Sequence, residues 1–267
     1  MKPNLRFFAA LLSLIVFAQA HAGSACTEAP LDADNVMRAL ELAQKSSKAL
    51  DDSGARVAMI ARVGQDLSQY HLTYSHMAFA WRPAPGQPWS VIHELNQCGT
   101  ANSSLFDEGL GNLFLDNMFA YRTLIVIPSA RTQERMAALL ASGDMRKFHG
   151  RPYNMVAYPF STEFQNSNQW LLETLAAAMA QDSVIANRGD AQAWLKLAGY
   201  RPTTLNVPMM TRLGADFFRA NISFNDHPFG DRMAGHIDTV TVESVVEFVA
   251  RRDPEVRRIE LAVNGRD

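Results

Sequence analysis

A polar segment that runs directly into a helix is the part of this chain best suited to chemistry. The segment covers residues 165–168, and the helical pattern after it has an apolar stripe at Leu171, Leu175 and Met179. The first turn of a helix carries unpaired N–H groups and the positive end of the helix dipole, so negative charge is stabilised there. A side chain on that turn is therefore well placed for nucleophilic catalysis.

The same segment also fits a purely structural role. Asn166 is followed three residues later by Gln169, which resembles a capping box, and Asn is a common residue at the start of a helix. On spacing alone the structural interpretation is favoured, and the functional one stays open.

Two histidines are predicted to lie on neighbouring strands. Residues 74–81 and 89–95 have strand patterns, and a turn rich in Pro and Gly joins them into a hairpin. This hairpin places His76 and His93 on adjacent strands, although a single histidine at such a position is more often a hydrogen-bonded structural residue. No spacing among the seven histidines fits a zinc site, so we predict neither a metal nor another cofactor.

The N-terminus has the features of a secretory signal peptide. Lys2 and Arg6 precede an apolar run at residues 7–17, and Ala20-His21-Ala22 forms a cleavage site. We therefore expect residues 1–22 to be removed and residues 23–267 to form a periplasmic or secreted protein. Neither this run nor any later segment has the roughly 20 apolar residues that a membrane span needs, so no transmembrane span is predicted in the mature protein.

The chain has only two cysteines, Cys26 and Cys98. In an oxidising compartment an even number favours a disulfide, which here would join the mature N-terminus to a loop near the middle of the chain. A free or catalytic Cys98 is the competing interpretation, but residues 96–100 predict a strand that ends in a turn with no helix after it. Lipid attachment at Cys26 is disfavoured, because residues 23–25 lack the large apolar residue expected there.

The order of the predicted helices and strands indicates one α+β domain with an antiparallel sheet, and the net charge gives no sign of a nucleic-acid partner. The formal net charge is −2 without a long run of either sign, so nothing indicates nucleic-acid binding. Residues 23–267 are enough for one substantial core, with a helix-rich elaboration from about residue 185. The other predicted elements are helices at 32–50, 132–142, 190–198, 209–218 and 239–249, strands at 56–63, 122–127 and 220–224, and loops at 105–117 and 225–235.

Two stretches resemble motifs of a known superfamily. Residues 74–79 resemble the strand-borne histidine motif of circularly permuted papain-like proteins of the NlpC/P60 superfamily, and residues 165–170 resemble the helix start that carries their cysteine. More closely, nearly the whole mature chain resembles the exported bacterial family called domain of unknown function 2145. The residues that carry this resemblance are 57–62, Gly64, Asp66, 74–76, Cys98, 106–109, 158–170 and 200–202.

The chain departs from the family motif at one decisive position. The motif commonly reads Gln-Asn-Cys-Asn-Gln-Trp, and Ser167 occupies the cysteine's place. The resemblance implies a papain-like fold in which His76 faces Ser167 and is oriented by His93 or a polar neighbour on the same strand. A serine stays protonated and needs a general base, unlike a cysteine at such a helix start. The motif residues that the resemblance places in the substrate site are Tyr74, Asn166, Asn168 and Gln169.

Two functions follow from this resemblance. In the first, the protein is a cell-envelope amidase, peptidase or acyltransferase in which Ser167 attacks a carbonyl and His76 accepts its proton. The implied substrates are peptidoglycan stem peptides or acyl lipids. In the second, the protein keeps the cleft but is catalytically inactive, and binds a peptide or lipid in the periplasm. The second function has to be considered because a catalytic site that works through a cysteine thiolate usually loses its activity when serine replaces the cysteine.

Overall fold

The computed structural model describes residues 32–263, apart from 117, 182, 210, 211 and 213–219. The predicted signal peptide, Cys26 and most of the predicted helix at 209–218 lie outside the described residues. The described strands are β1 Val57–Val63, β2 His76–Trp81, β3 Ser90–Asn96, β4 Ser103–Gly109, β5 Ala120–Ile127, β6 Thr203–Asn206, β7 His236–Thr239 and β8 Arg257–Ala262. Six of them form one antiparallel sheet in the order β4-β3-β2-β1-β5-β8, while β6 and β7 pair separately.

Helices cover both faces of the large sheet, which confirms the predicted α+β class. The described helices are α1 Ala33–Ser53, α2 Leu110–Phe114, α3 Ala130–Ser142, α4 Ser167–Met179, α5 Arg188–Leu197, α6 Phe229–Ala234 and α7 Val242–Arg252. One face packs against α1 and α2, and the other packs against α3, α4 and α7. Apart from Arg62, the central strand β1 is apolar because alternate residues enter the two cores: Ala58 and Ile60 face α1, whereas Met59 and Ala61 face α4.

Local signals set the ends of several helices as predicted. α1 starts after Asp32, whose side chain accepts a hydrogen bond from Asn35 N, and ends at Gly54 with φ 70°. α3 ends at Gly143 with φ 77°. α4 starts after Asn166, which accepts a hydrogen bond from the backbone N–H of Gln169. The capping role of Asn166 is therefore confirmed.

Strands β2 and β3 separate over part of their length, and α4 begins at the separation. The ladder between them consists of Phe79–Ile92, Ala80–Val91 and Trp81–Ser90. Beyond the first of these pairs lies the fork, which we define as residues 76–78 of β2 and 93–96 of β3. In the fork the backbone N–H of Met77 donates to Asn168 Oδ1 at 3.0 Å, so the first turn of α4 takes the place of a ladder partner.

Three predicted segments were wrong in detail. In the predicted loop at 105–117, residues 105–114 instead form most of β4 and all of α2, because β4 pairs with β3 over seven consecutive residue pairs. Residues 220–224 are not a strand, and the predicted loop at 225–235 contains α6. The sequence analysis also missed β8, although Ile259 and Leu261 alternate with charged residues there and pack against the α1 face.

In the described part of the chain, none of the helices has both the length and the apolar character that crossing a bilayer requires.

Candidate functional site

A relay of three side chains connects strands β2, β3 and β4; we call His76, His93 and Glu108 the histidine relay. His76 Nε2 lies 2.9 Å from His93 Nδ1, and His93 Nε2 lies 2.7 Å from Glu108 Oε1. Asn112 of α2 donates to the second oxygen of Glu108 at 3.0 Å. The structure thus brings together the two predicted histidines and adds a carboxylate that the sequence analysis did not assign.

The relay determines which nitrogen of each imidazole carries the proton. The Glu108 carboxylate only accepts, so His93 Nε2–H is the donor and His93 Nδ1 must accept. His76 Nε2–H is then the donor to His93. In a neutral His76 the remaining nitrogen, Nδ1, therefore carries a lone pair and has no hydrogen-bond partner among the described residues. This is the arrangement of a base held in one tautomer by its neighbours.

Both histidines are held in the neutral state. Burial lowers the pKa of His76 well below its usual value, and the positive charge of Arg62 and the neighbouring His93 lower it further. Burial also lowers the pKa of His93, while the hydrogen bond and charge of Glu108 oppose that effect. The Arg62 side chain stands opposite His76 in the β1–β2 ladder and is held by the Leu113 carbonyl at 2.7 Å. The neutral state agrees with the tautomers assigned from the hydrogen bonds.

Asn168 ties the start of α4 to the backbone on both sides of His76. Its Oδ1 accepts from Met77 N at 3.0 Å, and its Nδ2 donates to the Ser75 carbonyl at 3.5 Å. Ser167 precedes Asn168 directly. The predicted nucleophile at the start of α4 and the predicted base on β2 therefore belong to two segments that are joined by the hydrogen bonds of Asn168. Asn168 itself is nearly buried and acts in the structure as this connection.

Ser167 and His76 do not form a hydrogen bond in the described structure. The relay lies on the sheet face of α2, which supplies Asn112, whereas α4 packs on the other face. Between the two faces, the fork is occupied by the Asn168 side chain, which binds Met77 N and the Ser75 carbonyl. The phenol of Tyr153 lies beside Ser167; sequence reasoning missed this residue, and no local motif marks it.

Tyr153 is a buried phenol beside the nucleophile position. Burial raises the pKa of Tyr153 to about 12, the neighbouring Ser167 hydroxyl opposes this shift, and the charge of Glu94 adds to it. The phenol is therefore protonated over the whole physiological range. Glu94, on β3, is a second residue that the sequence analysis did not assign.

Gln169 belongs to a buried polar network and not to an exposed cleft wall. It is fully buried, and its Nε2 donates to Glu173 Oε1 at 3.2 Å and to the Pro159 carbonyl at 3.3 Å. Glu173, also fully buried, further accepts from Arg188, Gln165 and Gln192. This network holds the segment that leads into α4.

The other predicted site residues have defined places. Asn166 caps α4 and donates to Thr239 Oγ1 at 3.0 Å, which ties the helix start to β7. Tyr74 is buried, donates its backbone N–H to Glu243 Oε1 at 3.0 Å, and lines a cavity of about 380 Å³ beside α7. The predicted disulfide stays a prediction, because Cys26 lies outside the described residues. Within the described residues no cluster of three His, Cys, Asp or Glu residues has a geometry that would hold a metal ion.

Comparison with known protein families shows the family to which the chain belongs. Residues 49–249 match the family described as "Uncharacterized protein conserved in bacteria (DUF2145)". The chain belongs to the DUF2145 family. The predicted resemblance to this family is thereby confirmed, and the match includes the whole histidine relay and Ser167. None of the curated proteins and none of the solved structures compared with this DUF2145 protein matches it.

Proposed function

We propose that this DUF2145 protein is a papain-like hydrolase or acyltransferase of the cell envelope that acts on an amide or acyl bond. Ser167 is the nucleophile, His76 the general base and His93 the residue that orients it. The observation that carries the proposal is the histidine relay, since it holds His76 in one tautomer with Nδ1 unprotonated next to the segment bonded to α4. A base oriented by a third group is one half of the general pattern of covalent catalysis, and the proposal requires that the nucleophile at the start of α4 reaches this base through the fork.

The proposed reaction begins with attack of Ser167 Oγ on the carbonyl carbon of the substrate. The hydroxyl proton passes to His76 Nδ1, and the resulting imidazolium donates through Nε2–H to His93, with the negative charge of Glu108 at the far end of the relay. Unpaired N–H groups of the first turn of α4 stabilise the oxyanion. The imidazolium then gives its proton to the leaving group, and water or an acyl acceptor releases Ser167.

The electrostatic environment of His76 suits a hydroxyl nucleophile. Serine attacks only while a neutral base removes its proton, whereas a cysteine thiolate is favoured by a neighbouring imidazolium. Burial and Arg62 lower the pKa of His76, so the imidazole is neutral at rest and its Nδ1 is free to accept a proton. The same two effects oppose the imidazolium that forms during attack, so the proposed role of serine rests on the neutral resting state and not on a strengthened base.

The substrate class and location rest on the resemblance to NlpC/P60 proteins. We propose that residues 1–22 are removed during export and that the mature protein acts in the periplasm or outside the cell. The substrate would be a peptide of the cell wall or an acyl lipid. The papain-like topology and the disulfide between Cys26 and Cys98 belong to the same proposal.

A fluorophosphonate probe, which reacts covalently with activated serines, tests the catalytic proposal. The purified mature protein is expected to be labelled, Ser167→Ala to lose the label, and His76→Ala to be labelled about 10²–10⁴ times more slowly because its general base is missing. Ser142→Ala, which changes an exposed serine at the end of α3, is the matched control and should be labelled like the native protein. Equal labelling of native protein and Ser167→Ala would contradict a catalytic Ser167.

A second function, ligand binding without catalysis, is favoured by a different observation. The Ser167 hydroxyl lies beside the Tyr153 phenol, and no hydrogen bond joins it to His76 in the described structure. In this function the site binds a peptide or lipid of the envelope without cleaving it.

The thiol introduced by Ser167→Cys separates the two functions. If the site activates a nucleophile, iodoacetamide should react with this thiol with an apparent pKa displaced from the unperturbed value of about 8.5. Adding His76→Ala should then remove that displacement. A thiol pKa near 8.5 that does not respond to His76→Ala is the result expected of a binding protein.

A further inference from the structure

A cavity of about 380 Å³ lies beside α7, on the sheet face opposite to the histidine relay. Its walls are mainly apolar. Leu124 of β5 lines one side, and Val242, Val246 and Ala250 line the other. These three residues follow one another at intervals of four along α7, so they share one side of the helix. The volume lies within the range of about 300–1,000 Å³ that is usual for small-molecule sites.

The carboxylate of Glu243 lines the same cavity and uses only one of its two oxygens. Oε1 accepts from the backbone N–H groups of Thr73 and Tyr74 at 2.7 and 3.0 Å. Oε2 is buried and has no hydrogen-bond partner in the part of the chain that the structure describes. A buried acceptor without a partner is costly and uncommon in native proteins. A hydrogen-bond donor is therefore missing at this wall of the cavity.

The phenol of Tyr74 is a second polar group without a partner at this cavity. The side chain is nearly buried and lines the cavity, and its Oη has no hydrogen-bond partner among the described residues. An apolar cavity with a small number of polar groups at its wall is the usual composition of a site for a small organic ligand. Tyr74 and Glu243 supply those polar groups here.

Two arginines at the cavity already have partners of their own. Arg251 forms an ion pair with Glu247 and donates to the Gly199 carbonyl at 3.3 Å. Arg258 donates to the Val246 carbonyl at 3.3 Å. Both guanidinium groups belong to exposed residues, where water also solvates them. The unmet need of the cavity is therefore a donor for buried oxygens, and not an anion for the arginines.

We propose that this cavity is a binding site for a small apolar amine. The alkyl or aryl group of the ligand occupies the space along α7, and its ammonium group donates to Glu243 Oε2 and Tyr74 Oη. An ammonium group carries three donors and no acceptor, which suits a site with two unfilled acceptors. Its hydrogen bond to a carboxylate is charge-assisted and therefore strong. The site goes beyond the proposed function and does not depend on the reactivity of Ser167.

Titration of the purified protein with three simple ligands, followed by NMR at neutral pH, tests the proposal. Hexylamine is expected to bind, and hexanoate, which has the same chain length, to bind at least about tenfold more weakly, because only the ammonium donates to the carboxylate. Butylamine should bind more weakly than hexylamine by about fourfold for each methylene that it lacks, since the cavity is apolar.

Glu243→Gln removes the charge but keeps an oxygen for the two backbone N–H groups. Its affinity for hexylamine should fall by about tenfold, whereas its affinity for hexanoate should not fall. Glu247→Gln is the matched control, because it changes an exposed carboxylate on the same helix at the same cavity. It should alter the affinity for hexylamine by less than about threefold, since exposed charges are screened.

Ala250→Phe narrows the cavity without removing a polar group, and should abolish binding of hexylamine. It also keeps the test decisive if Glu243→Gln folds poorly. Ala141→Phe, at an exposed position of α3, is its control and should bind hexylamine like the native protein. Native protein that binds hexanoate as well as hexylamine, or that does not bind hexylamine at millimolar concentration, would overturn the proposal. So would affinity for hexylamine that is unchanged in folded Ala250→Phe.

Discussion

Replacing Arg188 by methionine is expected to lower the free energy of unfolding by about 3–5 kcal/mol, the usual effect of removing one partner from a buried ion pair. Arg188 donates from Nε to Glu173 Oε2 at 2.7 Å and from its terminal nitrogens to the carbonyls of Thr162 and Phe164. Glu173 is fully buried. The variant would leave a buried carboxylate with only neutral amide donors, and two carbonyls without their charged partner.

Denaturation in urea measures this loss, and two further variants explain its origin. Arg251→Met removes a surface arginine that pairs with the exposed Glu247, so it should cost less than about 1 kcal/mol. Adding Glu173→Gln to Arg188→Met should recover part of the loss, because no buried charge then lacks its partner. If Arg188→Met costs no more than Arg251→Met, the buried network does not hold the segment before α4.

The second large effect is a pH-dependent gain in stability from Glu94→Gln. Burial raises the pKa of Glu94 from 4.5 to about 8 in the folded protein. The unfolded chain therefore loses this proton at lower pH than the folded protein does. Stability due to the protonated carboxyl is fully present below about pH 4.5 and is lost as pH rises through about 8. At about 1.36 kcal/mol per pKa unit, the complete loss is about 4–5 kcal/mol.

Unfolding free energies at about pH 5, 7 and 9 test this expectation. The advantage of Glu94→Gln over the native protein should grow steadily across the range and be largest at the highest pH. Glu134→Gln, on the exposed face of α3, should follow the native protein at every pH. Parallel curves for native protein and Glu94→Gln would mean that the carboxyl is already ionised in the folded state.

Local sequence patterns could predict some features of the site but not others. The start of α4 was predictable, because Asn166 carries its own capping signal three residues before Gln169. The hairpin that brings His76 and His93 together was also predictable from two short strand patterns and a turn rich in Pro and Gly. Both features are encoded within a few residues of the chain.

The role of Glu108 could not be predicted, because its position depends on strand pairing and not on a local pattern. Residues 105–109 are largely polar or exposed and lack a regular alternation, so the sequence predicts them as the start of a loop. They become β4 because β3 offers a free edge with which they pair along their whole length. Only that pairing brings Glu108 to His93 and completes the histidine relay.

Sequence alone determined the family, the α+β class, the helix start at Ser167 and the adjacency of the two histidines, since each depends on motifs or on the local spacing of apolar and capping residues. Tertiary structure decided that His76 binds His93, that Ser167 lies beside Tyr153 and that Gln169 enters a buried network. It also decided that the Glu94 carboxyl has no hydrogen-bond partner among the residues that the structure describes. The physical reason is that burial and hydrogen-bond partners are set by strand register and by helix packing at the fork, and both join residues far apart in the chain.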